Sequence, residues 1–146
     1  MFEALSVVAS DTSFDAQNRL KVLDLTSKIA AQRPEYASAF EQALGKIIVS
    51  TDDPLAYAYG SEYYYSRGDE KRGRELLEKA VRGGFNDRAA VLQLLYAEVR
   101  DNDLETLFRD ARMVLDSIGE DPEVYYLYGF SAHSLGQTDQ AIAALE

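Results

Sequence analysis

The sequence predicts an all-α protein built from three to four helix-turn-helix repeats, and three observations carry that expectation. The first is an internal repeat. DPLAYAYGSEYYYSRGD at 53–69 aligns with DPEVYYLYGFSAHSLGQ at 121–137, an offset of 68 residues, or twice 34, and a degraded copy, DRAAVLQLLYAEVRDND, lies halfway at 87–103. The second is a set of helix starts at one phase. Asp53, Asp87 and Asp121 each stand directly before an apolar run, where a carboxylate can accept from the first free backbone N–H groups, and Pro54 and Pro122 follow at the position that tolerates proline. The third is a set of helix stops. Gly68, Asn102 and Gly136 share a later phase, where the chain must turn tightly or through the left-handed region before a second helix begins.

The second helices read DEKRGRELLEKAVR, DLETLFRDARMVLDSI and TDQAIAALE. Leu76, Leu77, Ala80 and Val81 recur at helical spacing in the first, and Leu104, Leu107, Phe108, Ala111, Val114 and Leu115 in the second. Extending the phase upstream gives a weaker unit at 20–53, with a first helix LKVLDLTSKIAAQ, a turn near Arg33-Pro34-Glu35 and a second helix YASAFEQALGKIIV. The expected units are therefore 20–53, 54–87, 88–121 and a truncated 122–146, preceded by a helical extension at 1–19 in which FEALSVVA forms a short helix and Ser13 or Asp15 starts a longer one.

Composition narrows the function classes. Fifteen Lys and Arg against 25 Asp and Glu leave a net charge of −10, which repels phosphate backbones and anionic lipid, so neither nucleic acid nor a membrane surface is an expected partner. The hydrophobic fraction of 47% is ample for a buried interior. MFEALSVVAS carries Glu3 where a secretory signal has Lys or Arg, and its apolar run is short, so no signal peptide or membrane span is read there and a cytoplasmic location is favoured. With no Cys and a single His, His133, neither a disulfide framework, a thiolate zinc site nor a multi-histidine metal site is available.

The 34-residue helical hairpins resemble tetratricopeptide repeats (TPR) over roughly 20–146. In the unit from 54, Tyr57 stands for the family's large aromatic, Gly60-Ser61 for its Leu-Gly pair, Tyr64 for its first-helix tyrosine, Gly68-Asp69 for its turn, and Leu77 and Ala80 for its second-helix core. The unit from 122 matches better, with Tyr125, Tyr128-Gly129, Ala132, Gly136, Ala141 and Leu145 in the same places. Two departures stand out: Gly73 replaces a small Ala inside a helix, an expected cost of about 1 kcal/mol, and Glu98 occupies the aromatic place of the middle unit. LLEKAVRGGFNDRAAVLQLLY is also similar to Sel1-like repeats, which stack helical pairs in the same manner. The resemblance implies a right-handed α-α superhelix, a solenoid whose first helices line a concave groove, and a non-catalytic scaffold for protein-protein interaction.

Residues three and four apart share a helix face, which sorts the five tyrosines crowded into 57–65. Tyr57, Gly60, Ser61 and Tyr64 read as a core face, Tyr59, Glu62, Tyr65 and Ser66 as another side, and Tyr63 fits neither. Carried onto the resemblance, the second side is the groove wall. Its expected partner-binding residues are Tyr59, Glu62, Tyr65, Gln93, Tyr96, Arg100, Tyr126, Phe130 and His133, beside Leu92, Val99, Leu127 and Ser134, with Asp24, Leu25 and Lys28 from the first unit. Tyrosine offers large rigid area with a polar tip and is enriched among interface hot spots, so the groove is expected to take a protein or peptide with apolar anchors. The family's clamp of Lys, Arg and Asn for C-terminal carboxylates is missing, since only Lys28 and Arg100 are basic at these positions. A partner carrying Lys or Arg to meet Glu62 and the negative field fits better. The alternative expectation is structural. QAIAALE breaks off within an apolar helical pattern with no C-cap residue, so the array continues in a larger repeat protein, or Ile142 and Leu145 pair with a second copy into a homo-oligomer.

Other chemistry is thin, and neither a catalytic residue nor a cofactor is expected. Asp101, Asp103 and Glu105 alternate like a calcium loop but lack its glycine and distal Glu, so capping of the next helix explains them. Gly83-Gly84 follows a helix and lacks the Lys-Ser/Thr of a phosphate loop, so it reads as a helix end. Lys71, Arg72 and Arg74 alternate with Glu70, Glu75 and Glu78 as a solvated face. His133 has no nucleophile or triad signature nearby and is read as a groove contact.

Overall fold

A computed structural model describes residues 16–136 and Leu145. The helix expected in FEALSVVA and all but Leu145 of the last second helix, Ala141 and Ile142 included, lie outside the described residues. Over 16–136 seven α-helices follow one another: α1 (Ala16–Gln32), α2 (Ala37–Thr51), α3 (Pro54–Ser66), α4 (Glu70–Arg82), α5 (Arg88–Arg100), α6 (Leu104–Ile118) and α7 (Pro122–Ser134), with a 3₁₀ turn at Pro34–Tyr36 between α1 and α2. No strand occurs among the described residues. The protein is all-α, with packing between neighbouring helices.

The helix starts show why the 34-residue period is legible. Asp53, Asp87 and Asp121 cap α3, α5 and α7, each accepting from one or two backbone N–H groups of the first turn. The second helices carry the same device: Asp69 accepts from the N–H of Arg72, and Asp103 from that of Thr106. Each such cap satisfies donors that the helix itself cannot, at about 1 kcal/mol apiece. Asp103 is thus a capping residue, as the turn reading expects.

The stops are equally local. Gly68, Asn102 and Gly136 all have positive φ, 81°, 54° and 81°. The N–H of Asp69 donates to the carbonyl of Tyr64 at 2.9 Å and that of Asp103 to the carbonyl of Glu98 at 3.0 Å, the wrapping bonds that close a helix through a left-handed residue. Gly83-Gly84 ends α4 in the same manner, with the Phe85 N–H donating to the Ala80 carbonyl at 2.9 Å.

The chain divides into two compact units, 1–85 and 86–146, the break falling just before the Asp87 cap. In the first, α1 packs on α2 and α3, α2 on α3, and α3 most closely on α4. Its core gathers Leu20, Leu23, Phe40, Leu44, Ile47, Ala56 and Tyr63. In the second, α6 packs on both α5 and α7. Val91, Leu94, Leu95, Leu107, Val114, Val124 and Leu127 are buried there, and Phe108 stacks on Tyr128 with ring centroids 5.1 Å apart. Glu98 is fully buried on α5, and Asp110 of α6 is buried too.

Candidate functional site

The tyrosine stretch of α3 does not sort as the sequence predicts. The tyrosine that fits neither face, Tyr63, is the ring sealed in the core: it is 1% exposed and lies 4.4 Å from the Phe40 ring, centroid to centroid. Ala56, Gly60 and Tyr63, spaced four and three apart, form the buried line of the helix. Of the expected core face, Gly60 and Ser61 are buried, but Tyr57 and Tyr64 sit at the margin. The Tyr57 hydroxyl donates to Asp52 at 2.6 Å with Lys79 over its ring, and Arg72 lies over the ring of Tyr64.

Tyr65 departs furthest from its expected place. A Cβ built on Gly73 of α4 would fall 2.8 Å from Tyr65 Cδ2, so this ring lies between the two helices of its own hairpin. Helix geometry explains the departure. Two successive steps of three residues drift by about 120° around an α-helix, so Tyr59 and Tyr65 do not share a face. Tyr59 is half-buried against the core, and burial, followed by the carboxylate of Asp24 on α1, raises its pKa. Glu62 is exposed. In α1, Leu25 is exposed and Lys28 pairs with Asp24 at 3.3 Å.

The second unit holds the coherent cluster. Gln93, Tyr96 and Arg100 on α5 and Tyr126, Phe130 and His133 on α7 are all exposed. Spacings of three and four from a single start keep each trio on one narrow face. Tyr126 is 59% exposed, Phe130 39% and Tyr96 41%. The Tyr126 and Phe130 rings lie nearly parallel, 16° apart in plane, with centroids separated by 6.5 Å. Leu127, expected beside them, is buried instead, on the Val124, Leu127, Ser131 line that meets the core. Leu92 and Val99 are half-buried.

A polar clasp positions this face. Arg88, the first residue of α5, donates to Asp121 at 2.6 Å and to Glu123 at 2.9 Å, and the Tyr96 hydroxyl donates to the other oxygen of Glu123. Sequence reasoning missed Arg88 and Glu123, because the pairing spans 35 residues and only the three-dimensional register of α5 beside α7 creates it. The bonds to Asp121 and Glu123 raise the Arg88 pKa, and the bond to Glu123 raises that of Tyr96. The guanidinium of Arg88 holds Asp121 below the ordinary carboxylate range, helped by the N–H groups of Val124 and Glu123.

A pH dependence follows from Asp121. Its folded-state pKa is depressed, so its contribution is whole above the unfolded carboxylate value and is lost as pH falls through the lower folded one. Asp121→Ala removes both cap and clasp, and the cap alone is an expected loss of about 1 kcal/mol at neutral pH in urea denaturation. Asp121→Asn keeps a capping oxygen and is expected to lose less, since it gives up only the pair to the exposed Arg88, while flattening the acid limb of the stability profile. An acid limb unchanged in Asp121→Asn would contradict this assignment.

Among the described residues no helix is long and apolar enough to cross a membrane, and no three His, Cys, Asp or Glu side chains converge as metal ligands. No protein-family model matches the chain, and no curated protein is significantly similar to it.

Proposed function

We propose that the chain is a non-catalytic scaffold for protein-protein interaction, its hairpins stacked as a right-handed superhelix of tetratricopeptide type. The aromatic face of α5 and α7 takes a peptide or protein partner with apolar anchors. One observation carries the reading: Tyr126 and Phe130 stand parallel and exposed on a helix whose opposite line is fully committed to the core. Rings left in water at such density represent apolar area that a partner can cover, and a single buried tyrosine in such an interface contributes about 2 kcal/mol, roughly thirtyfold in affinity.

The test compares capture by wild-type and Tyr126→Ala protein. A partner should be retained by the first and lost by the second, with mass in solution and melting temperature unchanged, because the ring has no place in the core. A partner bound equally by both proteins would remove this face from the function. A second reading, self-association through the C-terminal edge, draws on Leu145, which is 64% exposed. It predicts a concentration-dependent mass that Leu145→Asp abolishes, and a strict monomer by light scattering at high concentration excludes it.

A further inference from the structure

Resting on the docking reading above, we propose that the aromatic face of α7 recognises an arginine side chain of the partner, seated on the Tyr126 and Phe130 rings at the end of the face marked by Glu123. The rings are exposed and nearly parallel, so they present π surface of the kind on which a planar guanidinium stacks. The surroundings select for a cation. Arg88 sits between two carboxylates, Asp121 and Glu123, so one positive charge meets two negative ones at the start of α7, and Glu123 stands three residues before Tyr126. Over 86–136 the sequence holds ten carboxylates and four arginines, so the field of this unit attracts cations and repels acidic segments.

The position of the guanidinium follows from the like charges. Arg100 lies one turn beyond Tyr96 along α5, whereas Glu123 stands in the first turn of α7. A cation is therefore favoured toward the start of α7 and disfavoured toward the end of α5. Arginine fits better than lysine because an ammonium is compact and strongly hydrated, while a guanidinium is weakly hydrated and flat. An aliphatic side chain would gain burial without the charge, and a carboxylate would meet both the ring faces and the field with the wrong sign.

The probes are capped tripeptides Leu-X-Leu in which X is arginine, lysine or citrulline, the neutral counterpart of arginine. Each is titrated into the full chain while the ring signals of Tyr126 and Phe130 are followed by NMR, assigned through Tyr126→Ala and Phe130→Ala. The arginine peptide is expected to shift both rings and to bind about fivefold tighter than the citrulline peptide. That ratio should shrink at 1 M salt and in Glu123→Gln, a variant that still accepts from Tyr96. Equal binding of arginine and citrulline peptides overturns the cation specificity while leaving an aromatic docking face. Ring signals that no peptide moves overturn the arginine proposal, and the capture experiment with Tyr126→Ala then decides separately whether the face docks anything at all.

Discussion

Tyr63→Ala is expected to destabilise the first unit by about 4 kcal/mol, the largest loss from any single truncation of a tyrosine in this chain. The ring is 1% exposed and wedged between Phe40, 4.4 Å away, and Tyr64, 5.1 Å away, centroid to centroid. It belongs to the cluster that Leu20 and Leu23 of α1 and Leu44 and Ile47 of α2 complete. Removing it therefore opens a cavity where three helices meet, and rigid neighbours cannot close it. Tyr63→Phe isolates the hydroxyl. That group donates to Glu41 only at 3.5 Å, so its loss should cost well under 1 kcal/mol at neutral pH. The alkaline limb should change more. Burial, and then the Glu41 carboxylate, push the phenol from 10.0 up to about 12. A raised folded-state pKa means that the contribution is whole below the unfolded value and falls away as pH rises from 10.0 through about 12, so Tyr63→Phe should unfold less readily in that window. Urea denaturation followed by circular dichroism measures both effects, and a loss below 1 kcal/mol for Tyr63→Ala would show that the core tolerates the gap.

What could be read from sequence divides along the range of the interactions. The caps at Asp53, Asp87 and Asp121 and the left-handed stops at Gly68, Asn102 and Gly136 act within a few residues of themselves, so their 34-residue recurrence announces helix boundaries directly. Which tyrosine is buried is a different kind of fact. It depends on where α1 and α2 press on α3, and nothing within PLAYAYGSEYYYS distinguishes Tyr63 from Tyr64. The i, i+3 rule also loses its grip when it is applied twice in one direction, which is how Tyr65 came to share an expected face with Tyr59. On α7 the same rule alternates four with three, the drift cancels, and Tyr126, Phe130 and His133 do emerge together. The clasp of Arg88, Tyr96, Asp121 and Glu123 lay beyond sequence reasoning because its members touch across two helices.

Gly73 carries the second large prediction, because here the expectation from helix propensity has the wrong sign. A glycine inside α4 costs about 1 kcal/mol against alanine in an isolated helix, so Gly73→Ala looks stabilising. The hairpin says otherwise. A Cβ at this position would lie 2.8 Å from Tyr65 Cδ2, 3.0 Å from its Cγ and 3.1 Å from its Cε2. Because Cγ is the root of the ring, turning the ring about its Cβ–Cγ bond cannot clear the contact; only a change of χ1 rotamer, which takes the whole ring out of the hairpin, would. The helices cannot part freely either, since the buried Ser61 hydroxyl donates to the Gly73 carbonyl at 2.7 Å and holds the two backbones together. Overpacking of this kind costs about 1–3 kcal/mol, which outweighs the propensity gain; Gly73→Val, with two more methyl groups and poorer propensity, should lose about 3 kcal/mol. The decisive comparison removes the ring first. In a Tyr65→Ala background the obstruction is gone, so Gly73→Ala should become stabilising by about 1 kcal/mol, a reversal of sign that a double-mutant cycle in urea reads directly. If Gly73→Ala stabilises the protein with Tyr65 in place, the ring does not occupy the hairpin, and Tyr65 returns to the list of residues available to a partner.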